Sequence, residues 1–249
     1  MKKMYVIYLA LWFIVTILFP CKVNATIYYD IDFSSPLHTI GQAPTTGSSI
    51  YTPSEIVSGQ PVVSQSLGAL QDQPLVFNTL GNSPFFYYDQ IQLNMNRGTG
   101  FYYTSFDILT QSLMGSRNHF VVLFDTPCVH NITFQNDGTI NLFGKKQINY
   151  LENQLMHFEV LMNVAQKQAS IILNGNEVFD GALWESSACP VKYLRAIRFS
   201  LGLVSGIDSS DSQTYVGIDN IHATDYVIPE PATLSLLALG AFLAGRRRK

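Results

Sequence analysis

Among the residues suited to chemistry are five histidines, three cysteines and Trp184. Metal binding by histidine asks for ring nitrogens on one face, as with two ligands four apart on a helix. His38, His119, His130, His157 and His222 show no such spacing, so no metal site is expected from them. Gly202-Leu203-Val204-Ser205-Gly206 misses the G-x-S-x-G nucleophile elbow, and Ser205 reads as a turn residue. Asp208-Ser209-Ser210-Asp211 is rich in oxygen donors, which calcium prefers. Asp208 and Asp211 are therefore candidate calcium ligands, set against a plain solvated turn. Trp184 falls between expected strands, where an indole can stack on a sugar ring or lie over the core. Cys128 and Cys189 form a candidate disulfide if the chain is exported, because that environment is oxidising. Closing a loop of about sixty residues would stabilise by about 4 kcal/mol in the chain-entropy account. Neither cysteine has a local charged partner that would make it a reactive thiolate, and Pro190 follows Cys189.

The elements that deliver these residues begin at the two ends. Lys2 and Lys3 precede an unbroken apolar run over 5–19. Val23-Asn24-Ala25 then offers a signal peptidase its side chains, so cleavage is expected between Ala25 and Thr26. The run is shorter than the roughly twenty residues that span a bilayer, which favours a removed signal helix over a retained anchor. Cys21 follows Pro20, where a lipoprotein signal wants a small residue. At the other end stand Pro229, Glu230 and Pro231, then an apolar run over 232–244. Gly245, Arg246, Arg247, Arg248 and Lys249 complete the chain. The apolar run makes a short transmembrane helix, and the basic tail resists translocation and holds the cytoplasmic side. The prolines keep the tripeptide extended and open to a protease.

This order of tripeptide, apolar helix and cationic tail resembles the PEP-CTERM sorting signal of Gram-negative bacteria. The resemblance implies export by the Sec machinery and a transient stay in the inner membrane. It also implies recognition by exosortase, a membrane-embedded cysteine protease, then display at the cell surface or in the extracellular matrix.

Residues 26–228 remain as one body. Seven of the fifteen cations lie in the trimmed ends, which leaves eight against seventeen acids, or −9. No basic stripe is present to neutralise phosphates, so nucleic acid is excluded as a partner. The body reads as strands over 101–109, 119–125, 131–135, 139–143, 156–164, 169–173, 177–179, 194–203 and 215–222. Asn136-Asp137-Gly138 and Asn174-Gly175 mark hairpins. Residues 147–154 suggest one helical turn, and 40–66 suggest loops with short edge strands. Arg198 and Asp219, in the last two strands, are candidates for an ion pair.

These patterns predict an all-β antiparallel sandwich. Several resemble the concanavalin-A-like lectin and glucanase jelly roll in its laminin-G-type form. They are Ile31-Asp32-Phe33, Phe106-Asp107-Ile108, the hairpin over 171–176, and the closing Val216-Gly217-Ile218-Asp219-Asn220-Ile221. Glucanases of that fold carry Glu-x-Asp-x-x-Glu on one strand, which places nucleophile and acid on one face. No such run occurs. Glu159 has no acidic neighbour within five residues, and Asp30 and Asp32 lack a third acid. The expectation is a non-enzymatic surface protein, without a required cofactor, that binds carbohydrate or mediates adhesion. The alternatives are a polysaccharide-active enzyme with an unrecognised site and a ligand-free matrix protein.

Overall fold

The computed structural model describes residues 27–33, 40, 50–51, 62–78, 87–95, 100–203 and 213–225, all within the unit Thr26–Tyr226. Among them the strands are β1 (Ile27–Ile31), β2 (Ile50–Tyr51), β3 (Val62–Val63), β4 (Leu75–Asn78) and β5 (Tyr87–Asn94). They continue as β6 (Phe101–Gln111), β7 (Asn118–Asp125), β8 (Val129–Phe134), β9 (Thr139–Leu142) and β10 (Lys146–Asn149). The last five are β11 (Met156–Asn163), β12 (Gln168–Leu173), β13 (Asn176–Ala182), β14 (Ala196–Leu203) and β15 (Tyr215–Asp225). They form two antiparallel sheets and, among the described residues, no helix. The first sheet runs β13-β12-β11-β6-β15-β4-β3, with β1 also beside β15. The second runs β10-β9-β8-β7-β14-β5-β2. The all-β sandwich is thus present. The expected signal helix and C-terminal transmembrane helix lie outside the described residues, in which no helix is long and apolar enough to cross a membrane.

Alternation decides which side of each strand is buried. Phe106 and Phe158 of the first sheet are fully buried and stack at 5.4 Å. Phe106 meets Phe199 of the second sheet edge-on at 5.3 Å, and Phe77 meets Phe120 at 5.2 Å. Such contacts between the sheets contribute about 1 kcal/mol each beyond the area they bury. The hairpin at Asn174-Gly175 forms as read, with φ of 50° and 77°, the left-handed pair that its twist requires.

Two local expectations are corrected. Lys146–Asn149 is a strand, with Gln147 opposite Asn141, not part of a helical turn. Its mostly exposed polar side chains carry no alternation to read. Arg198 and Asp219 do not pair, because β14 and β15 belong to different sheets. Arg198 instead bonds Asp125 at 2.7 Å.

The last strand, β15, follows β6 along one side and β4 then β1 along the other. The register shifts between Asp219 and His222, with Asn220 at a φ of 51°. Asp219 is buried there and accepts the Asn220 amide at 2.8 Å. Burial pushes its pKa up from 3.8 to about 6, with the Asp32 and Asp107 charges adding to the shift. His130 is also buried, 5.8 Å from the Phe143 ring, and its Nε2 has no partner. Burial, and then Lys145, lower it from 6.5 to about 4.

Next to this bulge, Gly217 has no room for a side chain. A Cβ would stand 2.8 Å from Leu70 Cδ1 and 2.9 Å from Leu67 Cδ2. Gly217→Ala is expected to lower stability by about 1–3 kcal/mol, read as a lower urea midpoint.

The two buried titrating groups set opposing slopes with pH. Asp219 favours the fold below pH 3.8, an advantage lost as pH rises through about 6. His130 favours it above pH 6.5, an advantage lost as pH falls through about 4. His119, lowered by its own burial, adds to the His130 slope. Asp219→Asn should leave a urea midpoint that rises with pH across this window. His130→Leu should flatten that rise or turn it into a fall.

Candidate functional site

The inward residues of β13 lead to Leu183, which is buried, and the next residue, Trp184, is 54% exposed. The alternation of β13 therefore continues, and the indole shares the outward side of the first sheet. The loop that presents it is fixed at several points. Leu183 donates its amide to Lys167 O at 2.7 Å, and Lys167 Nζ donates to Glu185 at 2.6 Å. Ser186 and Cys189 exchange both backbone hydrogen bonds, at 3.2 and 3.0 Å. Cys189 is joined to Cys128 by a disulfide across 61 residues, with Cα atoms 5.1 Å apart. An exposed aromatic on a loop held this way is a ready stacking platform.

Strand register assembles the rest of that outward side. His157 of β11 lies opposite Asp107 of β6, which lies opposite Asp219 of β15. In the next row Glu159, Ser105, His222 and Asp30 cross four strands. In the row after that Leu161, Tyr103 and Thr224 stand side by side. The carboxylates are held in place by neighbours. Asp107 meets His157 Nδ1 at 2.6 Å with one oxygen and accepts from Asn220 Nδ2 at 2.8 Å with the other. Tyr103 donates its hydroxyl to Glu159 at 3.0 Å. His222 Nδ1 lies 3.4 Å from Asp30, and its ring centre is 6.2 Å from that of Tyr103. The face is open at His157, whose side chain is 44% exposed, and at Asp30, at 79%, while Ser105, Asp219 and Thr224 between them are buried.

Ser105, His222 and Asp30 follow one another across three strands in the order of a nucleophilic triad. The Ser105 hydroxyl, however, is bonded to Tyr103, so it is not placed as a nucleophile. The second sheet handles charge differently. There Asp125, nearly buried, takes Arg195 at 2.6 and 3.0 Å and Arg198 at 2.7 Å. Its carboxylate is thus matched by two guanidiniums.

Among the described residues no group of three or more His, Cys, Asp or Glu is placed to hold a metal ion. Asp208 and Asp211 lie outside the described residues, as do Ala25, Thr26, the tripeptide Pro229, Glu230 and Pro231, and the tail Arg246, Arg247, Arg248 and Lys249. Sequence reasoning did not single out Tyr103, Asp107, His157, His222 or Asn220 as one cluster. Asp107 and Asn220 are 113 residues apart, and only the strand register brings them together.

The sandwich is similar to part of a sialidase, at 17% identity and a TM-score of 0.54, over 82% of this chain and 19% of the sialidase. It is also similar to the cellulose induced protein Cip1, at 12% identity and a TM-score of 0.51, over 72% of this chain and 91% of Cip1. The alginate lyase Aly36B is similar over 61% of this chain and 80% of its own, at 16% identity and a TM-score of 0.45. These are β-sandwich folds of the lectin and glucanase type. The expectation of a non-enzyme is corrected here, because a sialidase stands among the similar structures. The missing Glu-x-Asp-x-x-Glu run excludes only the glucanase arrangement. The likeness establishes the fold and no activity, since one sandwich hosts many functions. No curated protein matches the sequence. Residues 227–249 match the PEP-CTERM protein-sorting motif, so this acidic sandwich carries an exosortase sorting signal at its C-terminal side.

Proposed function

We propose that the protein is a polysaccharide-binding component of the cell surface or extracellular matrix of a Gram-negative bacterium. The Sec machinery exports it, signal peptidase cleaves between Ala25 and Thr26, and the inner membrane holds it by residues 232–244. Exosortase then reads Pro229, Glu230 and Pro231 and processes the tail. The sorting motif at 227–249 supports this route. The finer fold reading, a concanavalin-A-like jelly roll, goes with the proposal and draws on the likeness to Cip1 and to part of a sialidase.

One observation carries the binding role: Trp184 is 54% exposed on a loop tied down by Lys167 and by the Cys128–Cys189 disulfide. An indole held in this way stacks on a pyranose ring without first paying to be ordered. The test is a glycan array probed with the full chain in mild detergent, once with calcium and once with a chelator. Binding to one class of polysaccharide is expected, and Trp184→Ala should weaken it about tenfold. Dependence on calcium that Asp208→Asn and Asp211→Asn abolish would assign the ion to those two residues. Silence across the array in both conditions would leave a ligand-free matrix protein.

Catalysis on the bound polysaccharide is the second reading, and Asp219 favours it. A buried carboxyl with its pKa pushed up to about 6, beside the Asp107–His157 pair, suits proton transfer. It predicts new chain ends when the protein is incubated with its polysaccharide, and none with Asp219→Asn.

A further inference from the structure

We infer that the outward side of the first sheet, from Trp184 to His222, is an extended binding surface for a polysaccharide that bears free amino groups. This rests on the polysaccharide-binding reading above and adds where the chain lies and what charge it carries.

The extent follows from register. Asp180 pairs Ser170, Ser170 pairs Leu161, and Leu161 pairs Tyr103, so one row crosses β13, β12, β11 and β6. Trp184 lies four residues beyond Asp180 on the same side. Three strand spacings across and four residues along put the indole on the order of 20 Å from Tyr103. That distance takes several pyranose rings, with an aromatic ring at each end of the path. Trp184 offers the first, and Tyr103 with His222, 6.2 Å between ring centres, offers the second.

The charge follows from what fills the path. Its rows contain the carboxylates of Glu177, Asp180, Glu159, Asp107 and Asp30 and, among the described residues, no lysine or arginine. Lys167, at the corner beside Trp184, is already paired with Glu185. The partners that hold Asp107 and Glu159 are His157, Asn220 and Tyr103, none of which brings a permanent positive charge. The second sheet is the contrast, with two guanidiniums on the single carboxylate of Asp125. Fixed carboxylates without counter-charges repel a polyuronate and attract an ammonium group, while the aromatic ends require a sugar ring. A hexosamine polymer with its amines deacetylated meets both demands.

The test uses the full chain in mild detergent and three oligosaccharides of equal length, measured by calorimetry. These are a glucosamine oligomer, an N-acetylglucosamine oligomer and an alginate oligomer. The glucosamine oligomer should bind most tightly and the alginate oligomer least, with the preference shrinking as salt is added. Glu159→Gln and Asp30→Asn should each cut glucosamine binding about three- to tenfold and leave the acetylated oligomer unchanged. The carboxamide oxygen that Glu159→Gln leaves in place can still accept the Tyr103 hydroxyl, so the first variant keeps the local bonding. If the alginate oligomer binds best, or if both variants leave the preference intact, the inference falls and the polysaccharide reading stands. If none of the three binds and the array is also silent, both fall.

Discussion

The structure depends on one strand, β15, lying along the middle of the first sheet. Its hydrogen bonds run to β6 on one side and to β4 and β1 on the other. These pairings bring Ile31 against Ile221 and Asp107 against Asp219, so the middle and the start of the body both wait for its end. A sheet with such distant partners closes late and slowly. The bulge around Asn220 falls where the neighbour of β15 changes from β4 to β1. It also follows directly on the buried Asp219 and aims the Asn220 side-chain amide at Asp107.

From that strand the polar face follows almost mechanically. Side chains with the same parity on β11, β6, β15 and β1 must stand together, and here they include carboxylates, imidazoles, a tyrosine, a serine and a threonine. Direct opposition of like charges costs energy, and the sheet offsets it with His157, Asn220 and the Tyr103 hydroxyl. Asp219, with amides for partners but burial against it, keeps its proton to higher pH than an exposed acid would. The second sheet carries its buried acid in the opposite manner, under two arginines. The two outward sides of the sandwich therefore differ in charge character although they share one core.

Much of the architecture was legible because it is local. Alternation marks β6, β11 and β15, and Asn174-Gly175 marks its hairpin through two left-handed residues. The misses have physical causes as well. Lys146–Asn149 is a polar edge strand that lacks the apolar period of a buried one. β4 and β5 escaped because β4 is buried at three of its four positions and so shows no alternation, while β5 follows a stretch rich in turn residues. The Arg198–Asp219 pair does not form because β14 and β15, though successive in sequence, lie in two sheets, and sheet membership is set by partners far along the chain. The polar face was invisible for the same reason: His157 and Asp107, 50 residues apart, become neighbours only through register.

The final strand ends at Asp225, and the sorting motif begins at residue 227. Among the described residues every strand lies before the motif, so none of them contains a residue of the sorting signal. The order of the chain thus separates two tasks: the residues that set the fold and its polar face come first, and those that set the address come last.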